Sequence, residues 1–143
     1  MKKGSFITGL VLLSNVITAN ASGSISGSSP HFYIEMQNQS QKNASISFSQ
    51  GVGNVYLQPE LLKFTPLPPN QISEKYGVYF DPLLPEDTFN IIFTGKNDCV
   101  FNVGFFAPAD PVITMSGLGC AGGGYRIIDN GTTLLLYISD IHK

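Results

Sequence analysis

The feature that most constrains this chain is its alternation. From Phe32 onward, apolar and polar residues change places at nearly every position, in short runs ended by Gly, Pro, Asn or Asp. In Ala44–Ser49, Ile46 and Phe48 fall on one side and Ser45, Ser47 and Ser49 on the other. A period of two marks a half-buried strand, because successive side chains of a strand point to opposite faces. No window carries the 3.6-residue period of a long helix. The runs are Phe32–Gln37, Ala44–Ser49, Val55–Leu57, Tyr76–Phe80, Phe89–Thr94, Cys99–Phe106, Val112–Ser116, Tyr125–Asp129 and Thr132–Ile138. About eight or nine short strands at this spacing predict an all-β domain, an antiparallel β-sandwich or a compact barrel.

The breaks refine this reading. Asn130-Gly131 between two apolar runs is the strongest short-range hairpin signal, since both residues tolerate the positive φ of a type I′ turn. Asn38–Asn43 (NQSQKN) has the composition of a hairpin loop, and Gly51 and Gly53 bracket a turn into Val55. Pro59, Pro66, Pro68 and Pro69 forbid a long helix or a central strand across residues 58–76. That stretch reads as an ordered crossing loop with one helical turn at Pro59–Lys63, pinned to the core by Leu61, Leu62, Phe64 and Leu67. Gly104 inside an apolar strand suggests a bulge or a close backbone approach. Leu134–Ile138 is continuously apolar, so it belongs in the interior of a sheet, covered on both faces.

Residues before this region have a different character. Lys2 and Lys3 precede the apolar run Phe6–Leu13, and Ala19-Asn20-Ala21 sets small residues at −3 and −1 of a cleavage point. This is the pattern of a secretory signal peptide over 1–21, and its apolar run is too short to span a bilayer. Residues 22–30 are small and polar and read as a flexible leader. Residues 31–143 form the expected single domain, with no transmembrane segment after the signal. The mature chain is expected to be secreted by way of the periplasm. A hydrophobic content of 43% excludes a disordered protein.

In an exported chain the two cysteines, Cys99 and Cys120, are expected to form a disulfide. Closing the loop between them stabilises the fold by about 3 kcal/mol in the chain-entropy model. Two isolated cysteines without a neighbouring His make a poor zinc site. Charge is sparse, with ten acids against eight bases and a single arginine, Arg126. That balance excludes a nucleic-acid partner and argues against simple adhesion to anionic lipid.

The Lys-Lys signal, the Asn/Gln/Ser-rich β chain and the stretches Tyr76–Pro82 (YGVYFDP) and Cys99–Pro108 (CVFNVGFFAP) resemble the small novel type II secretion substrates of Legionella-like intracellular bacteria. The resemblance implies export to the milieu or the host cell, as an effector or virulence factor. It implies no particular activity and transfers no functional residue.

Candidate chemistry is thin. His31 and His142 lie near the two ends, where a buried, oriented base is hard to build. Asp81, Glu86 and Asp87 share one loop, and Asp98 and Asp110 lie in two others. Loops converging at one end of a sandwich could gather these carboxylates around Ca²⁺, although no Asp-x-Asp spacing is present. No other cofactor is expected. Gly117–Gly124 is either a backbone nest for an anion or a side-chain-poor passage tethered through Cys120. Leu83, Leu84 and Phe106 are the candidates for an apolar contact patch. The sequons at Asn38, Asn43 and Asn130 are discounted because the signal looks bacterial. The sequence therefore points to a non-enzymatic binding module that meets a host protein, glycan or lipid through its end loops. A Ca²⁺/lipid-binding or membrane-active sandwich and an enzyme of unknown type are the alternatives.

Overall fold

The computed structural model describes residues 29–80, 86–105 and 111–140. The chain divides into two compact units, Met1–Pro30 and His31–Lys143, and the second carries the described fold. Among the described residues, eleven strands build it: β1 (Phe32–Asn38), β2 (Ala44–Gln50), β3 (Val55–Gln58), β4 (Thr65–Leu67), β5 (Gln71–Ile72), β6 (Tyr76–Phe80), β7 (Asp87–Thr94), β8 (Cys99–Phe105), β9 (Val112–Ser116), β10 (Gly124–Ile128) and β11 (Thr133–Ile138). They form two sheets that do not close into a barrel. The first runs β10-β11-β1-β6-β3, with β5 added beside β1. The second runs β4-β2-β7-β8-β9. The fold is the sandwich expected from the alternation.

The inner faces follow the period-two pattern. Ile34, Met36, Val55, Val78, Leu134 and Leu136 from the first sheet are buried against Ile46, Ile91, Phe93, Phe101 and Val103 from the second. Phe93 and Phe101 meet edge to face, with ring centroids 5.5 Å apart. Removing either ring would cost about 3–5 kcal/mol, the usual range for a buried aromatic. Strand β11 is interior as expected, between β10 and β1. Leu134 and Leu136 enter the core. Leu135, whose register partners are Glu35 and Arg126, is also buried and stands outside the core cluster.

Several local expectations are corrected. β1 and β2 belong to different sheets, so the segment after Asn38 is a crossing between layers and not a hairpin loop. The tie is Asn38 itself. Its fully buried amide donates to the carbonyls of Lys42 and Leu67, both at 2.8 Å, and its Oδ1 accepts from the Ser40 amide at 2.9 Å and hydroxyl at 2.6 Å. All four hydrogen-bonding positions of the amide are filled, which is how a buried polar group avoids its desolvation cost. Burial also removes Asn38 as a glycosylation acceptor.

Residues 58–76 hold two short strands, β4 and β5, and no helical turn at Pro59–Lys63. That segment must cross from β3 to β4 between layers, and it does so through a bend at Pro59, after a cis Gln58–Pro59 bond, and a turn at Lys63–Phe64. Leu61 drops into the core, while Leu62 and Phe64 stay exposed. Pro66 sits where a proline can, on an edge strand paired only with β2. Gly104 keeps register with both Thr88 and Val112, so β8 has no bulge there. The β1–β11 pair is parallel, an exception in an otherwise antiparallel fold. The first and last strands of a domain need no short connection, so parallel pairing is open to them.

The Asn130-Gly131 hairpin is present. Asp129, Asn130 and Gly131 all have positive φ, and the Thr132 amide closes the turn on the Asp129 carbonyl at 3.2 Å. Cys99 and Cys120 are joined, with Cα atoms 4.7 Å apart. The bond ties a 3₁₀ turn at Leu118–Cys120 to the first residue of β8. Among the described residues, no helix is long and apolar enough to cross a membrane.

Candidate functional site

The expected contact patch and two of the five expected acidic residues fall outside the described residues. Leu83, Leu84, Phe106, Asp81 and Asp110 do so, as does His142. Their anchors are described. Phe80 and Phe105, each the last strand residue before one of those segments, have ring centroids 4.6 Å apart. Phe80 and Phe105 therefore lie at the same end of the sandwich. His31 is not frayed: its amide donates to the Val78 carbonyl at 2.9 Å, and its ring stacks on Phe80 at 3.8 Å.

The remaining acids do not form one group. Asp87 opens β7, whereas Asp98 precedes β8 at the far end of the same hairpin, a separation of roughly 20 Å at strand rise. Asp87 is buried, contrary to the expectation of a solvated loop acid. Its carboxylate accepts from the Asn54 amide at 3.2 Å. Next to it, Thr88 clamps the β2–β3 turn, accepting the Val52 amide on its hydroxyl at 2.7 Å. Gly53, at φ +84°, leaves the space that the Asp87 carboxylate occupies, and a Cβ there would collide with it. Asp87 thus has a structural task. Glu86 is half-buried beside it, and Asp98 is exposed. No cluster of three or more His, Cys, Asp or Glu side chains is found among the described residues.

The glycine-rich loop spends its amides internally. Gly119 donates to Asp98, Cys120 to Gly117, Ala121 to Leu118 and Gly123 to Cys120, at 2.8–3.3 Å. Those donors are not free for an anion. The tethered-passage reading accounts for the loop.

A better-formed site lies at the opposite edge of the first sheet. Tyr56 on β3 and Tyr79 on β6 are cross-strand partners, so their side chains share the sheet's outer face. Their rings are nearly parallel, 13° between planes, with centroids 5.7 Å apart. Burial raises the pKa of both phenols above the ordinary tyrosine value, and the neighbouring Tyr33 and Tyr56 phenols add to the effect at Tyr79. Both hydroxyls therefore remain protonated donors at neutral pH. The rings border a cleft of about 1070 Å³ whose other wall is the crossing segment, with Gln58, Glu60, Leu62 and Lys63 on its rim. The exposed Gln58, Glu60 and Lys63 offer an amide, a carboxylate and an ammonium group beside the aromatic wall.

The cleft is held open by its frame. Gln50 clasps β3 across the layers, taking the Val55 amide at 3.2 Å and donating to the Val55 carbonyl. The Phe64 amide donates to the Ser47 hydroxyl at 2.9 Å, and the Thr65 hydroxyl to the Leu62 carbonyl at 2.7 Å. The first of these ties the end of the crossing segment to β2, and the second holds the turn that leads into β4.

The same outer face carries two more tyrosines. Lys75 lies 5.6 Å from the Tyr33 ring centroid, and Arg126 lies 5.4 Å from that of Tyr137. Lys75 also pairs with Asp129 at 2.9 Å. That pairing raises the lysine pKa and lowers the carboxyl pKa. The Thr133 hydroxyl favours the carboxylate as well, although it makes no hydrogen bond of good geometry. This face is not among the candidates read from the sequence. The signal was there, since Tyr33, Tyr56, Tyr79 and Tyr137 all take the outward phase of their strands. Only the sheet order β11-β1-β6-β3 brings them together.

No protein-family model and no curated protein matches the chain.

Proposed function

We propose that this is an exported, non-enzymatic binding module that holds a glycan in the Tyr56–Tyr79 cleft. The observation that carries the reading is the pair of near-parallel phenol rings beside an amide, a carboxylate and an ammonium group. A sugar ring offers C–H groups on its face and hydroxyls at its rim. Tyrosine suits the first as a rigid, amphipathic surface that loses little side-chain entropy on binding. Gln58, Glu60 and Lys63 suit the second, as placed polar groups that orient a ligand. Export is supported by the tripartite Met1–Ala21 segment and by the Cys99–Cys120 bond, which belongs to oxidising compartments. Against catalysis stand the joined cysteines, the stacked His31 ring and the structural engagement of Asp87.

The test is a glycan array probed with the purified, oxidised domain, alongside Tyr56→Ala and Tyr79→Ala. The reading expects binding by the parent and at least tenfold weaker binding by both variants, a loss of about 1.4 kcal/mol or more. No glycan bound by the parent, or unchanged binding by the variants, rejects it.

A second reading is favoured by the 4.6 Å approach of Phe80 and Phe105. It places a host partner at that end of the sandwich, against Leu83, Leu84 and Phe106. Alanine at those three positions would then weaken capture of the partner and leave the fold intact. A Ca²⁺ site has less support, because Asp87 and Asp98 lie at opposite ends of one hairpin.

A further inference from the structure

The two open sides of the sandwich differ. On one side lie edge strands β3 and β4. Their inward residues Val55, Leu57 and Leu67 are buried, and Leu61 from the crossing segment closes the gap between the layers. On the other side lie β9 and β10. Cys120 is bonded to β8, and three residues separate it from β10, so both strands flank one opening.

Register shows where their side chains point. Met115 pairs with Phe101 and Ile113 with Val103; Tyr125 pairs with Leu136 and Ile127 with Leu134. Each partner is a core residue, so these four side chains also face the space between the layers. Yet Met115, Tyr125 and Ile127 are 42%, 44% and 52% exposed. Three inward-phase side chains on this side are thus open to solvent.

Strand β9 is also an unguarded edge. Natural edge strands carry charges, prolines or bulges, or are kept very short, to prevent pairing with another chain. Here β4 has Pro66, β10 has Arg126, and β3 is four residues long and followed by Pro59. The β9 strand, VITMS, has no charge and no proline within it, with Pro111 just before it, and it holds register with β8 along its length. Among the described residues, its backbone makes no backbone hydrogen bond outside that ladder.

We infer that β9 is the interface of a homodimer, pairing antiparallel with β9 of a second copy about a two-fold axis at Thr114. Self-pairing of β9 brings no like charges together. Self-pairing about the centre of β9 sets Thr114 against Thr114, Ile113 against Met115 and Val112 against Ser116. Threonine pairs and apolar pairs are favourable cross-strand contacts. Self-pairing about the centre of β10 would set Arg126 against Arg126, a like-charge contact directly across the axis. A closed two-fold contact of this kind is isologous, so it stops at two copies and does not propagate into a fibre. It joins the second sheets into one of ten strands and brings the wet Met115, Tyr125 and Ile127 of both copies around the axis. The Tyr56–Tyr79 cleft lies at the far edge of the first sheet and stays open, so dimerisation and glycan binding fail or stand separately.

The experiment is light scattering on the oxidised domain over a concentration series, with Thr114→Lys and Thr114→Cys. The parent is expected at twice the monomer mass, dissociating on dilution. Thr114→Lys, at an exposed position, should halve that mass with an unchanged circular dichroism spectrum. Thr114→Cys should give a covalent dimer on mild oxidation, while Arg126→Cys should not. A parent that is monomeric at every concentration overturns the inference. So does a Thr114→Lys variant that remains dimeric, or crosslinking at Arg126→Cys in place of Thr114→Cys.

Discussion

Replacing Asn38 should damage the fold more than any surface substitution, through hydrogen bonds and not volume. Its amide lies fully buried between the β1 terminus and β4. Asn38→Ala strands the Leu67 carbonyl and the Ser40 amide, whose bonds to Asn38 are buried. The Lys42 carbonyl suffers less, because the Ser40 hydroxyl already reaches it at 3.1 Å. Each buried group left without a partner costs about 1–3 kcal/mol, so two of them give a loss of about 2–6 kcal/mol. That is a large part of a typical stability of about 5–15 kcal/mol. Asn38→Asp separates the causes further. A carboxylate still accepts from Ser40 but faces the carbonyls of Lys42 and Leu67 with no proton to give. Its folded-state pKa must rise above the unfolded value, so the variant should be least stable at neutral pH. It should recover stability as pH falls through the raised pKa and the carboxyl gains a proton. The assay is urea unfolding with the disulfide intact, at neutral and mildly acidic pH. Asn38→Ala losing less than about 1 kcal/mol would refute the reasoning, since that is the cost of an ordinary substitution. An Asn38→Asp deficit that does not shrink in acid, relative to the parent, would refute it too.

Other outcomes follow from the same structure. Gly131→Val should lower stability by more than about 1 kcal/mol, because a β-branched residue resists the observed φ of +87° even though the space around Gly131 is open. Thermal melts check this, and an unchanged midpoint counts against it. Reducing Cys99–Cys120 should cost about 3 kcal/mol in the chain-entropy model, read as a lower urea midpoint in reductant. The Asp129 carboxyl has its pKa lowered by Lys75, so its contribution is present above the unfolded carboxyl pKa and is lost as pH falls through the folded value. Both side chains are exposed, so salt should weaken the effect, and Lys75→Met should remove the larger part of it in an NMR titration of Asp129.

Much of the fold was legible because its causes are local. Alternation in Ala44–Ser49 and the dipeptide Asn130-Gly131 act within a few residues, and both structures appear where the pattern puts them. The apolar run Leu134–Ile138 announced an interior strand for the same reason. What stayed hidden depends on pairing between distant segments. NQSQKN reads alike as a hairpin or as a crossing between layers, and Asn38 decides the matter through a carbonyl on β4. Asp87 looks like a turn acid until the β2–β3 turn is laid over it. Tyr33, Tyr56, Tyr79 and Tyr137 look unrelated until the sheet order places them on one face. Parallel pairing of the first and last strands leaves no local trace at all.

Whether the Tyr56–Tyr79 cleft holds a glycan is decided by an NMR titration of the labelled, oxidised domain with the oligosaccharide that binds best on the array. Binding in the cleft gives saturable shifts of the Tyr56 and Tyr79 ring resonances together with Gln58 and Lys63, and none at Thr114. Shifts confined to the residues around Phe80 and Phe105, or no saturable shift with any glycan, would contradict it.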